Sequence, residues 1–166
     1  MAQDALLTDM EPYDELIEGV GVSRSVPRGR HEQVCQRLHA AVGAALDGIT
    51  TTRLLPPRSL VQLTPDNHFR PDLTLITVAT GRVWLAAEII STDDHRWDTV
   101  TKKQLYEAMN LPRLWMIDPR YDNVEVYHGG QYGLALKGMF AGRELLTEKL
   151  LPALQVKVGE LFEVEV

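Results

Sequence analysis

One carboxylate in this chain stands where a strand should exclude it. Glu88 lies in the run VWLAAEIIS, residues 83–91, whose other members read as a strand buried on both faces. An ionised acid there must be neutralised, paired or bound to a cation, because bare burial costs more than a fold can supply. Sixteen residues earlier, Asp72 follows Pro71 at the head of the apolar run LTLIT. If these two strands pair, the carboxylates can converge at one place on a sheet. Two acids held close repel one another unless a cation sits between them, and oxygen donors favour a hard ion such as Mg²⁺ or Mn²⁺. Beyond Glu88, a helix-like stretch carries Asp98, Lys102, Lys103 and Tyr106. Lys102 and Tyr106 are four residues apart and share a face that can turn back over Glu88. An ammonium there can hold an attacking water and offset charge growing on phosphorus. Two acids and one lysine are the minimum set for metal-dependent phosphodiester hydrolysis.

Each of these residues also has a plainer reading. Asp72 alone is a polar residue at a strand entrance. A salt bridge from Glu88 to a buried Arg or Lys is as good an account as a metal. Lys102 follows Asp98 by four residues, the ordinary spacing of a helix-surface ion pair. His31 and His39 are eight apart, too far for a metal pair on one helix face, and read as exposed or hydrogen-bonded; His95 reads as a solvated loop residue. Cys35, Trp84, Trp97 and Trp115 read as core. Arg24, Arg28 and Arg30, with a weaker cluster at Arg53 and Arg58, supply loop charge that can reach phosphates or simply be solvated.

The elements that must position these groups follow from periodicity and turn residues. YDELIEGVG has the composition of a short helical turn ending at Gly19 and Gly21, and SRSVPRGR reads as a loop. From His31 to Asp47, Val34, Leu38, Ala41, Val42 and Ala45 fall on one helical face, with Gly48 as the stop. After Pro56-Pro57, SLVQLT alternates as a short strand. FRPDLTLITVAT and RVWLAAEIIS are two richer strands, antiparallel neighbours joined at Thr80-Gly81. Alternation along the second places Trp84, Ala86, Glu88 and Ile90 on one face. STDDHR can cap a helix from about Trp97 to Asn110. RLWMID and VEVYH continue the sheet, and the tail to LQVKVGELF reads as further short strands with a closing turn. A helix, strands, a crossover helix and more strands describe an α/β domain with a mixed sheet flanked by helices.

Composition bounds the function. The chain has 166 residues, enough for one domain with a substantial core, 1–166, with its first ten or so residues expected to be flexible. Lysine and arginine number 17 against 23 acids, a formal charge of −6, so any nucleic-acid contact needs local basic patches. A single cysteine excludes a disulfide framework or a thiolate zinc site within one chain, and with no signal or membrane-spanning pattern a cytoplasmic location is expected.

The order RPD, then EIIS, then Asp98, Lys102 and Tyr106 as D-x-x-x-K-x-x-x-Y, then LPRLWMIDP and NVEVY, resembles the Uma-type putative restriction endonucleases, a branch of the PD-(D/E)xK nuclease superfamily. DELIEG near the start, His31 opening the first long helix and LPALQVKVGELF near the end extend the resemblance from about Tyr13 to Phe162. It implies a restriction-endonuclease-like fold and a Mg²⁺-dependent (or Mn²⁺-dependent) endonuclease that hydrolyses DNA. Asp72 and Glu88 would be its metal-binding carboxylates, and the backbone carbonyl of Ile89 a further ligand. Lys102 would replace the superfamily lysine, whose usual place is held here by Ile90. Glu15 would reach the metal through water, and Tyr106 would brace the site. A homodimer is expected, since related nucleases often pair to cut two strands. The chain departs from the family pattern in the acidic loop STDDHRW and in Asn-Leu-Pro before the tryptophan strand. The competing reading is a catalytically inactive nuclease-fold module for binding or dimerisation, in which Lys102 serves Glu88 purely as a counter-ion.

Overall fold

The richest apolar runs build the middle of a six-stranded sheet in the computed structural model, which describes residues 12–25, 29–91 and 97–164, without the side chains of Trp97 and Asp98. The strands are β1 (Tyr13–Ile17), β2 (Val20–Arg24), β3 (Thr52–Leu54), β4 (Val61–Thr64), β5 (Asn67–Phe69), β6 (Leu73–Thr77), β7 (Val83–Ile89), β8 (Arg113–Asp118), β9 (Asn123–Gly130), β10 (Gly133–Ala141), β11 (Leu145–Glu148) and β12 (Leu151–Lys157). The main sheet runs β10-β9-β8-β7-β6-β3, a second sheet runs β2-β1-β5-β4, and β11 pairs with β12. In the main sheet β7 and β8 are parallel and the other neighbours antiparallel. A parallel pair cannot be closed by a hairpin, so the chain needs a crossover between Ile89 and Arg113. That crossover carries the helix bearing Lys102.

The helix has two parts, a π-wound turn Trp97–Lys102 and then α2 (Lys103–Ala108). Opposite it, α1 (Gly29–Ala45) buries Val34, Cys35, Leu38, Val42 and Ala45 against the other face of the sheet. It starts and ends two residues earlier than periodicity suggests, with Gly48 at φ +76° beyond it. The short helix α3 (Val158–Leu161) supplies the closing turn and adds Leu161 to the α1 side. The outcome is the expected mixed sheet flanked by helices.

Two cores result, one on each face. Leu73, Leu75, Leu85, Ala87, Ile89, Trp115 and Ile117 meet α1, whereas Ala86, Ile90, Tyr106, Leu114, Met116 and Phe69 form the core beneath the crossover helix. Trp84 breaks the expected alternation. Leu75 pairs with Leu85 but Ile76 pairs with Val83, so Trp84 is the extra residue of a β-bulge and turns to the α1 side with its neighbour Leu85. Ala86 and Ile90 keep the predicted face, and Glu88 between them points toward the crossover helix.

The N-terminal segment corrects the expectation of a helical turn followed by a loop. Tyr13 to Arg24 is a hairpin, with Tyr13 opposite Arg24 and Ile17 opposite Val20. Its two turn residues, Glu18 at φ 51° and Gly19 at φ 78°, have the left-handed backbone that suits a tight hairpin with the native strand twist. The region expected as one strand from Phe69 onward, FRPDLTLITVAT, is likewise divided: Phe69 ends β5 of the second sheet, Pro71 breaks the ladder, and β6 begins at Leu73. Asp72 sits in that break, between the sheets. β3, which the sequence did not announce, pairs with β6 as the far edge of the main sheet.

One contact fixes how the crossover returns to the sheet. Gly129 in β9 lies so close to the loop before β8 that an added Cβ would fall 2.1 Å from the Leu111 carbonyl oxygen. Gly129→Ala is therefore expected to destabilise the protein by about 1–3 kcal/mol, the usual penalty of an overpacked site. Urea unfolding checks this.

Candidate active site

Asp72 is buried and takes over a task of the broken ladder. The last β6–β7 pair on this side is Leu73 with Ala87, and the next available donor, Ile89 N–H, donates to Asp72 Oδ2 at 2.8 Å. The carboxylate is thereby locked, with Oδ1 turned toward two other groups. Arg58 Nη1 lies 3.3 Å and His31 Nε2 3.6 Å from Oδ1. The same His31 nitrogen is 3.1 Å from the Ile89 carbonyl oxygen. On the backbone side, His39 Nε2 approaches the Asp72 carbonyl at 2.7 Å. Burial holds the His39 pKa below its ordinary value, so the neutral ring donates there.

The sequence reads Arg58 as loop charge, solvated or within reach of phosphates; the structure seats it inward. Its side chain is 9% exposed and also donates to both oxygens of Glu32, at 2.9 and 3.1 Å. Burial alone would lower its pKa, but Asp72 and Glu32 outweigh that and raise it. Two facing carboxylates, not solvent, determine where this guanidinium rests. Beside it, the Cys35 thiol is pushed up to about 12 by burial and by Asp72, so it stays protonated and behaves as a small core residue.

Glu88 has the partner its burial demanded. Its Oε1 accepts the Tyr106 hydroxyl at 2.7 Å and lies 2.5 Å from Lys102 Nζ. The shared helical face of Lys102 and Tyr106 is where both reach Glu88. The Lys102 ammonium also donates to Glu15 Oε2 at 2.9 Å. Glu15 in turn accepts Arg24 Nη1 at 2.7 Å and Arg70 N–H at 2.6 Å. An aromatic wall closes the assembly: Phe69 lies 4.9 Å under the ammonium and meets Tyr106 edge-on at 5.3 Å. Lys102, only 1% exposed, is thus a buried cation between two buried carboxylates. Its burial departs from the surface position that helix spacing alone allowed.

Arg24 also departs from the sequence reading. It belongs to β2 and pairs with Glu15 in the interior, while Arg30 bonds Asp122 and the Phe162 carbonyl. Arg53 is exposed on β3. Arg28, His95 and most of the STDDHR loop lie outside the described residues, as do the first eleven residues, which include the ten or so expected to be flexible. Ile90 packs in the core with Ala86 and Tyr106, so the position two residues after Glu88 is apolar, while the ammonium of Lys102 reaches Glu88 from the helix.

Burial of Glu15 would by itself raise its pKa, yet Lys102 and Arg24 prevail and hold it below the ordinary 4.5. A depressed carboxyl pKa adds stability that is present above the unfolded value and is lost as pH falls through the folded one. Wild type is therefore expected to lose more stability than Glu15→Gln between neutral pH and about pH 3. Urea unfolding at the two pH values measures the difference.

The donor chemistry of the site fits a hard divalent cation. Asp72 and Ile89 present a carboxylate and a carbonyl toward one point, and the Glu88 carboxylate belongs to the residue preceding Ile89 on the same strand. Among the described residues no three His, Cys, Asp or Glu side chains form a ready-made metal cluster, so backbone and water oxygens must share in any coordination.

A family model described as Uma2, putative restriction endonuclease, matches residues 5–159. The chain belongs to that family. In fold it is similar to a putative nuclease belonging to DUF820 from Anabaena variabilis ATCC 29413. The two share 19% sequence identity with a TM-score of 0.74, covering 96% of each chain. At that identity the likeness establishes the nuclease-type architecture, not a substrate. The curated proteins contain no match. No helix among the described residues is long and apolar enough to cross a membrane.

Proposed function

We propose that this protein is a Mg²⁺- or Mn²⁺-dependent endonuclease that hydrolyses DNA phosphodiester bonds, with Asp72, Glu88 and the Ile89 carbonyl holding the ion. The observation that carries the reading is the delivery of Lys102, from the crossover helix, to Glu88 at 2.5 Å in a chain of the restriction-endonuclease family. A divalent ion in this place supplies Lewis acidity toward the phosphate and makes water more acidic. The chain's own residues do the rest. The Ile89 N–H fixes Asp72 through Oδ2, leaving Oδ1, which faces Arg58 and His31, as the oxygen that would meet the ion. Glu15, anchored by Arg24 and Arg70, holds the Lys102 ammonium in place. From there Lys102 can orient a water and offset charge growing at phosphorus. Tyr106 braces Glu88 through its hydroxyl. Burial on the Phe69 side keeps the electrostatics strong by excluding solvent. A homodimer would place two such centres against two strands.

A second reading has one observation in its favour. Lys102 already lies between Glu15 and Glu88, which is what a purely structural ion network would show. The experiment that separates the two is cleavage of supercoiled plasmid DNA in Mg²⁺ or Mn²⁺ by wild type and Asp72→Ala. Metal-dependent nicking by wild type that Asp72→Ala loses supports the nuclease. No nicking by either supports the inactive module, and equal nicking by both overturns the assignment of the reaction to Asp72.

A further inference from the structure

Tyr13 stands at the rim of the site with a hydroxyl that the fold leaves unused. Side chains alternate along β1, so Tyr13, Glu15 and Ile17 share one face. Exposure rises along that row: Ile17 is in the core beneath the crossover helix, Glu15 is buried against Lys102, and Tyr13 is half-buried. Arg24 is directly opposite Tyr13 in the hairpin and bonds Glu15 from the same face. The register with β5 sets the other neighbour of the phenol. Leu16 pairs with His68, so three residues back along β1 correspond to three beyond His68, which is Pro71. The bond from Arg70 N–H to Glu15 carries the two segments on in that direction. Tyr13 thus borders Pro71 and Asp72, where the second sheet gives way to β6. The electrostatics agree with this position. Burial raises the phenol pKa most and Asp72 next, with Glu15 and Glu88 adding to the rise and Arg24 opposing it. The group therefore stays protonated and neutral at any working pH.

The acids around it are already occupied. Asp72 accepts Ile89 N–H on one oxygen and faces Arg58 and His31 with the other, Glu15 accepts Arg24, Arg70 and Lys102, and Glu88 accepts Tyr106. Among the described residues no hydrogen bond holds the Tyr13 hydroxyl. We infer that Tyr13 contacts the substrate, its hydroxyl donating a hydrogen bond to a non-bridging oxygen of the phosphate that is cut. The inference rests on the nuclease reading of the same site. A neutral donor suits this place: it adds no charge to the free protein, yet a bond to an anionic oxygen is stronger than one to a neutral acceptor. That bond strengthens as charge grows on the oxygen, so its loss falls on the cleavage step more than on DNA binding. The proton stays on the phenol throughout.

Tyr13→Phe keeps the ring and removes only the hydroxyl. In the full chain it should leave the urea midpoint and the calorimetric affinity for Mn²⁺ as in wild type. DNA affinity, read by fluorescence anisotropy in Ca²⁺ to hold back turnover, should stay within about threefold. Single-turnover cleavage in Mn²⁺ of a duplex containing a mapped cut position should slow roughly ten- to hundredfold. The same duplex with a phosphorothioate at the cut phosphate locates the contact. In one diastereomer sulfur, a weaker acceptor, replaces the oxygen that meets Tyr13, and the penalty should shrink to under about threefold; the other should keep it. Cleavage equal to wild type overturns the inference, as does a penalty that is the same on oxygen and on both diastereomers. Weaker Mn²⁺ binding in Tyr13→Phe makes the phenol a brace for Asp72 and overturns it too. So does a variant that fails to fold, since a hydroxyl unbonded in the free protein does not hold the fold together. Absence of cleavage by wild type is a different failure: it removes the nuclease reading, and the Tyr13 contact with it.

Discussion

Lys102→Met is expected to reduce plasmid cleavage about a hundredfold or more, because on the proposed mechanism the ammonium that would meet charge growing at phosphorus is gone. It should also destabilise the fold by about 3–5 kcal/mol, the range for removing one partner from a buried ion pair. The stability loss has a specific origin: Glu15 and Glu88 are left buried, with the cation between them removed. Adding Glu15→Gln should remove one of the two carboxylates that faced the lost ammonium and return part of that stability, at least about 1 kcal/mol, while cleavage stays lost. Urea unfolding and cleavage rates on the same three proteins provide the comparison. If the double variant regains activity along with stability, Lys102 acts through the fold and not through the reaction.

Glu88→Gln should separate the two readings from the other side. The amide oxygen can still accept the Tyr106 hydroxyl, and Lys102 keeps Glu15 as its counter-ion, so the stability change should stay within about 2 kcal/mol. If Glu88 is the proposed oxygen ligand, its loss should weaken Mn²⁺ binding at least about tenfold and reduce cleavage about a hundredfold. Calorimetry and plasmid nicking measure both effects. A variant that melts early yet binds Mn²⁺ like wild type would assign Glu88 to the scaffold.

What could be read from the sequence was governed by local patterns and by energetic necessity. The buried strands β6, β7 and β8 show as apolar runs, and α1 shows as a periodic face. Glu88 is conspicuous because nothing nearby in sequence neutralises it, and Lys102 with Tyr106 follows from helical spacing. The counter-ions behind them were not legible. Arg24 and Glu15 meet through a hairpin whose turn is Glu18-Gly19, without the Asn-Gly or Asp-Gly pair that marks such turns most clearly. Lys102 reaches Glu15 across 87 positions, and Arg58 reaches Asp72 across 14 through a left-handed residue of its own, at φ 57°. Local charge counting reads such arginines as solvated. The bulge at Trp84 is likewise set by pairing with β6 and leaves no mark in the alternation of β7 itself.

The nuclease reading stands on an ion held at the meeting point of β6 and β7, and Mn²⁺ anomalous diffraction from crystals of the metal-loaded protein tests it most directly. The account predicts a single strong peak within bonding distance of the Asp72 and Glu88 carboxylates and the Ile89 carbonyl oxygen, about 2.2 Å from each. No peak at saturating Mn²⁺, or a peak bonded to neither carboxylate while Lys102 remains on Glu88, would contradict it.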